Sequence, residues 1–233
     1  MLRARLALIL LLATGVSRAT AATYPSLQIN PASLTLDAAH TIGQLTMNSL
    51  SAQNVVFDLQ TVSWRQDGDK DEFVPTMTLA VVPPVYEIAP FRAMLLRVGL
   101  QQSPADPKTE SAFQIRFREV IPPGTTAEAR TLVAPVFVAP AERTGNVRYA
   151  LTRSGSLKAI LRVEDDANVH AYLGRLTIRS GEKVAYSGTL DEYVLSGNSR
   201  SFLLTLENQI EGTTAELVIK NGDQEQTVSA AVR

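Results

Sequence analysis

RTLVAPVFVAP, Arg130 to Pro140, is apolar on both faces and carries a proline at its centre. A strand that lies between one core and water alternates apolar with polar residues. Proline has no N–H to give a ladder, so within sheets it is confined to edges and bulges. An apolar edge invites aggregation, and proteins usually blunt their edges with charge. Taken as residues alone, the run reads equally well as a buried core strand, because short apolar runs commonly are core. As an edge strand, it needs something to cover it.

Outward from this stretch the chain keeps one style. Leu27 and Ile29, Leu34 and Leu36, then Val55, Phe57 and Leu59 stand at two-residue spacing, and the last series reaches Trp64 after a shift of one. TMTLAVVPPVYEI, RAMLLRVGL and SAFQIRFREV continue the alternation. Period-two patterning in short runs bounded by turn residues argues for antiparallel strands, and turn signals about every 8–12 residues suit β-sandwiches. RQDGDKDEF, QQSPADPKTE, IPPGTTAEA and APAERTGN break the strands. Past Pro140 the text turns polar and alternation starts afresh, with hairpin signals at Ser154-Gly155, Ser180-Gly181 and Asn221-Gly222. The fold expected is all-β: two sandwiches in tandem, over 23–140 and 141–233.

Residues 1–22 stand apart. Two arginines, an apolar run from Leu6 to Ala13 and Ala19-Thr20-Ala21 follow the order of a secretory signal peptide, and the run is shorter than the roughly 20 residues a spanning helix needs. The mature protein is expected to be exported. The 233 residues contain no cysteine, so each core must hold without disulfides, and a net charge of −1 without a basic block argues against nucleic acid or anionic lipid as partner. No further membrane-length segment follows the leader.

Chemistry is sparse. His40 and His170 have no neighbouring ligand at metal spacing and read as surface or structural histidines. Asp67, Asp69 and Asp71 imitate the start of a calcium loop, but glycine stands second rather than sixth and Thr78 holds the twelfth place, so a solvated hairpin turn is expected. With no nucleophile–base grouping, neither enzyme nor cofactor nor metal is expected.

Several stretches together resemble the periplasmic pilus-assembly chaperones of the chaperone–usher pathway. Val82-Pro83-Pro84, Ile88-Ala89-Pro90 and Arg97, then ESAFQIRFREVIPP, LVAPVFVAP, RVEDDANVHAYLGRLTI and DEYVLSGNSRSFLL follow the family's order across the mature chain. The missing cysteines and the wording APVFV are similar to the archaic branch, associated with spore-coat-U-type pilins. The resemblance implies two immunoglobulin-like domains set as an L or boomerang, and no catalysis. It also implies pilin or fimbrial subunits and an outer-membrane usher as partners. Pilin subunits of this pathway resemble immunoglobulin domains lacking a last strand, and the chaperone lends an apolar edge strand by β-strand addition.

On that resemblance the lent strand comprises Leu132, Val133, Ala134, Val136 and Phe137, with Leu132, Ala134 and Val136 expected to face the client and Val133 and Phe137 the opposite way; a slip of one residue reverses this. Members outside the archaic branch grip the client's C-terminal carboxylate with an arginine of the first strand and a lysine of this one. The matching positions here are Ser33 and Pro135. Anchoring is therefore expected to pass to Arg97 first, then to Arg116 or Arg118, because the guanidinium fork suits a carboxylate. The lent segment is also shorter and more polar at its start than the family norm, since TTAEART stands where alternating large apolar residues are usual. Pairing of the free protein with itself would hide the edge. The rival reading is a secreted tandem-sandwich adhesin or carbohydrate-binding protein, for which clustered exposed aromatics would be wanted.

Overall fold

The computed structural model describes residues 27–83, 87–103, 106–121 and 129–233. The expected leader lies outside them, as does most of the polar stretch before Arg130. Every element described is a β-strand. Ten strands precede Pro140: β1 (Leu27–Asn30), β2 (Leu34–Leu36), β3 (Ile42–Ser49), β4 (Val55–Asp67), β5 (Lys70–Pro75), β6 (Leu79–Val82), β7 (Glu87–Ile88), β8 (Ala93–Leu100), β9 (Ser111–Glu119) and β10 (Thr131–Val138). Seven follow: β11 (Val147–Gly155), β12 (Lys158–Asp165), β13 (Ala171–Ser180), β14 (Lys183–Val194), β15 (Ser199–Thr205), β16 (Thr214–Asn221) and β17 (Gln224–Val232).

The first ten build a sandwich, called domain 1 below. One sheet runs β1-β3-β8-β6 and the other β2-β10-β9-β4-β5, with β7 against the start of β4. Pro31 breaks the first strand, so β1 joins one sheet and β2 the other, parallel to β10. Alternation sends Leu45, Met47, Leu96 and Val98 inward from one sheet and Phe57, Ile115, Phe117, Ala134 and Val136 from the other. Phe57 and Phe117 meet edge to face at 5.7 Å. Burying such side chains contributes about 1.5–3 kcal/mol each, which explains a stable core without disulfides.

The last seven strands form one sheet, β14-β13-β16-β17-β11-β12-β15, which curls around a separate core containing Leu151, Leu161, Leu173, Leu176 and Leu217. This is domain 2. Its hairpins turn where the sequence places them: β13 to β14 at Gly181, and β16 to β17 at Gly222, whose φ of 61° is a conformation glycine adopts at no steric cost.

Candidate functional site

β10 is held unequally along its length. Its whole run pairs antiparallel with β9, from Thr131 opposite Arg118 to Val138 opposite Ser111. Its other margin meets β2 only from Val136 to Val138. Among the described residues no strand pairs with that margin from Thr131 to Pro135. Two bonds fix which groups look outward. Glu119 N donates to Arg130 O at 2.8 Å, so even-numbered residues bond β9; Ala139 N donates to Leu36 O at 2.8 Å, so odd-numbered residues face the β2 side. The N–H and C=O of Thr131 and Val133 therefore point to the open margin. Pro135 is odd-numbered too, and its missing N–H costs the β9 ladder nothing.

The faces reverse the expected parity. Ala134 and Val136 are fully enclosed in the domain 1 core, and half-buried Leu132 packs against it. The row expected to meet a client is thus spent on the protein's own interior. The reason is register: Ala134 lies opposite Ile115 and Leu132 opposite Phe117, both core residues. The outward face carries exposed Thr131, Val133 at 42 % exposure, half-buried Pro135 and buried Phe137.

Across this outward face the strands align side chains in rows. Thr131, Arg118 and Asp58 form one, and Val133, Arg116 and Gln60 the next. Pro135, Gln114, Val62 and Pro75 follow, then Phe137, Ala112, Trp64 and Phe73. Polarity thus gives way to aromatics towards domain 2. Arg116 is fixed in direction: its Nε and Nη2 each donate to Gln114 Oε1 at 3.2 Å, and its guanidinium carbon stands 3.8 Å from the centre of the Phe73 ring. Arg118 is exposed beside Thr131.

Arg97, the first-ranked anchor candidate, does not reach this surface. It lies on β8, in the opposite sheet, between Gln44 and Val82. Because Leu96 and Val98 take the core, Arg97 faces out on the far side of the sandwich. Ser33 is uncharged; it lies beside Tyr193, whose pKa burial raises and Ser33 lowers.

The last row meets domain 2. Phe137, Trp64 and Leu195 form a buried cluster, with Tyr193 centred 5.4 Å from Phe137 and 5.7 Å from Trp64. His170 stacks on Phe137 at 3.7 Å, and its Nδ1 lies 2.7 Å from Glu110 Oε1. Gln66 reaches across twice, donating to Tyr193 O at 3.0 Å and accepting from Leu195 N at 2.7 Å. The hairpin is solvated as expected, with Asp67, Gly68, Asp69 and Lys70 exposed, and it also takes part in this joint: Asp69 accepts from Ser201 N at 2.8 Å, and Asp71 accepts from Trp64 Nε1 and stands 3.6 Å from Arg200. A turn signal reveals a hairpin, not what leans on it. One trace was legible, the shift of one before Trp64. β4 carries no bulge there, since its register with β9 is continuous from Phe57 to Trp64. Val55, Phe57 and Leu59 face the domain 1 core, while Trp64 and Gln66 face domain 2.

His40 is an exposed histidine beside Asp37. Among the described residues no three His, Cys, Asp or Glu side chains gather as a metal site, and no helix is long and apolar enough to cross a membrane.

Residues 26–141 match the family model of the pili and flagellar-assembly chaperone, PapD N-terminal domain. No curated protein matches. Among solved structures, the chain is similar to one from the CsuC–CsuE chaperone–tip adhesion subunit pre-assembly complex of archaic Csu pili of Acinetobacter baumannii. Identity is 16%, coverage 90% of this chain and 100% of that one, and the TM-score 0.63. The E. coli chaperone DraB gives 15%, 89%, 97% and 0.59 in the same order. A chain from the Salmonella enterica SafA pilin–SafB chaperone complex gives 15%, 87%, 95% and 0.59. At these identities the likeness is one of fold, two immunoglobulin-like domains.

Proposed function

Since the chain belongs to the family of pili and flagellar-assembly chaperones, we propose that it works in the periplasm, after export on residues 1–22, by lending β10 to pilin-type subunits and handing them to an outer-membrane usher. The division of labour is 23–140 for lending and 141–233 for support, and no reaction is involved. One observation carries this reading. From Thr131 to Pro135 a strand fully paired to β9 keeps its other margin open among the described residues. A subunit lacking a strand can bond Thr131 and Val133 there, by main-chain addition that side chains on both faces then tune. Exposed Val133 is the apolar side chain it meets first, while Leu132 packs against the domain 1 core. Arg116, already aimed by Gln114 and Phe73, is the residue proposed to seat the subunit's terminal carboxylate, with Arg118 beside it.

Co-expression with an exported pilin-type subunit tests this. The wild type should hold it one to one, and Val133→Pro should lose capture by tenfold or more (on the order of 1.4 kcal/mol) with its thermal unfolding unchanged. The Val133 N–H points to the open margin and not to β9, so proline there should harm only the lent edge. Undiminished capture by Val133→Pro sinks the proposal, and a monomer that captures no subunit favours the adhesin reading.

A further inference from the structure

His170 and Glu110 close over β10 from opposite domains. Glu110 immediately precedes β9, the partner strand of β10, and its carboxylate side chain is only 4 % exposed. One of its oxygens takes both the His170 backbone N–H, at 3.0 Å, and the ring Nδ1, at 2.7 Å. Glu110 N in turn donates to Asn168 O at 2.9 Å. The imidazole held this way lies nearly parallel to the Phe137 ring, with 21° between planes and 3.7 Å between centroids. Tyr193 closes the same ring from another side. Phe137 is thereby sealed on its outward face, although its strand neighbours Pro135 and Val133 on that face are not.

We propose that His170 is a positioning residue for client capture: stacked on Phe137 and tied to Glu110, it clamps the far half of β10, so that the lendable length ends at Pro135. This rests on the strand-lending reading. Its physical content is preorganisation. β2 holds the far half through only three residues, and a strand free to shift would lose its register and have to be ordered anew when a subunit binds. A clamp from domain 2 removes that cost before the client arrives. It also gives domain 2 a part in capture without touching the subunit.

The test uses the full chain with His170→Ala and His170→Phe. Two quantities are read: amide hydrogen exchange in the unbound protein, and the rate at which a captured pilin-type subunit leaves. His170→Ala should speed exchange at Phe137 and Ala139, which face β2, by about threefold to tenfold, the range expected for loss of one aromatic contact. Exchange at Thr131 and Val133 should stay as fast as in the wild type, and subunit release should quicken by a similar factor. His170→Phe restores the stack without the ring hydrogen bond, and should return both readings towards wild type. The proposal is overturned if His170→Ala leaves exchange at Phe137 and Ala139 unchanged, or if exchange rises while release does not. A general loosening, with Leu161 and Leu217 of domain 2 exchanging equally faster and His170→Phe giving no rescue, overturns it as well. A wild type that captures no subunit overturns the lending reading itself, which the exchange data alone would leave intact.

Discussion

The two halves of β10 share one sequence style and differ in what surrounds them. From Val136 onward the strand has β9 on one margin and β2 on the other, the domain 1 core beneath it, and domain 2 above Phe137. From Thr131 to Pro135 it has, among the described residues, one paired margin and one buried face. A run apolar on both faces therefore has two things to cover, and they need not coincide along its length. Phe137, the bulkiest outward side chain of the run, faces the protein's own second domain. The part proposed for lending is less greasy, centred on Val133. This resolves the conflict between an apolar edge and solubility: most of the hydrophobic surface is internal, and the exposed remainder is flanked by Arg116 and Arg118, the kind of charge that protects edges.

The widest gap between the faces of the near half should appear on placing a carboxylate on each in turn. Ala134→Asp puts one into a fully enclosed site and should cost more than about 4 kcal/mol, enough to unfold domain 1 on its own scale of stability. Val133→Asp places it one residue away, on the exposed face and opposite Arg116, and should change stability by no more than about 0.5 kcal/mol while abolishing capture. Denaturant unfolding followed by Trp64 fluorescence, with subunit co-purification, measures both. Equal stability losses would mean that the near half is enclosed on both faces.

What could be foreseen from sequence divides along the same line. Alternation within Ala93–Leu100 or Ser111–Glu119 is a local property, and it announced strands, hairpins and two sandwiches. It also showed that Leu96 and Arg97 point opposite ways. It could not say which outer face of domain 1 looks towards domain 2, and that decides between Arg97 and Arg116. The parity of β10 was hidden for the same reason: with apolar residues on both faces, only pairing with Ile115 and Phe117 reveals which row is core. The joint was least visible. Gln66 meets Tyr193 and Leu195, and Asp69 meets Ser201, across more than half the chain. No periodicity records such contacts, apart from the apolar Trp64 on the face of β4 that would otherwise meet water.

A smaller and pH-dependent effect should come from behind the His170–Phe137 stack. Asp165, at the end of β12, is 1 % exposed; its Oδ1 accepts from Ala167 N at 2.9 Å, and its Oδ2 has no hydrogen-bond partner. Burial pushes its pKa up to about 6, against backbone bonds and the His170 charge, which pull it down. A carboxyl raised in this way binds its proton more tightly folded than unfolded. Stability should therefore fall as pH rises from about 4 to about 6, and stay lower above that, by roughly 2–3 kcal/mol. Asp165→Asn keeps the Oδ1 acceptor and should flatten this slope, leaving the variant the more stable protein at pH 7.5 and no more stable at pH 4. A wild type whose unfolding midpoint rises through that window would refute the assignment.

The smallest effects separate the two arginines. Arg116 stands in the Val133 row, its guanidinium steadied by Gln114 and Phe73, and Arg116→Ala should weaken capture of a subunit bearing its natural C-terminal carboxylate by about tenfold, as expected for one charged hydrogen bond. A subunit trimmed of that end should bind both proteins alike. Arg97→Ala should alter neither measurement, because β8 presents Arg97 on the opposite side of domain 1. A charge that far around the sandwich is also beyond the screening length of about 8–10 Å at physiological ionic strength. Titration of the two variants against both subunits gives four affinities, of which only one should move. Were Arg97→Ala to match Arg116→Ala, the carboxylate seat would have to lie away from the near half of β10, and the division of that strand would lose its functional meaning.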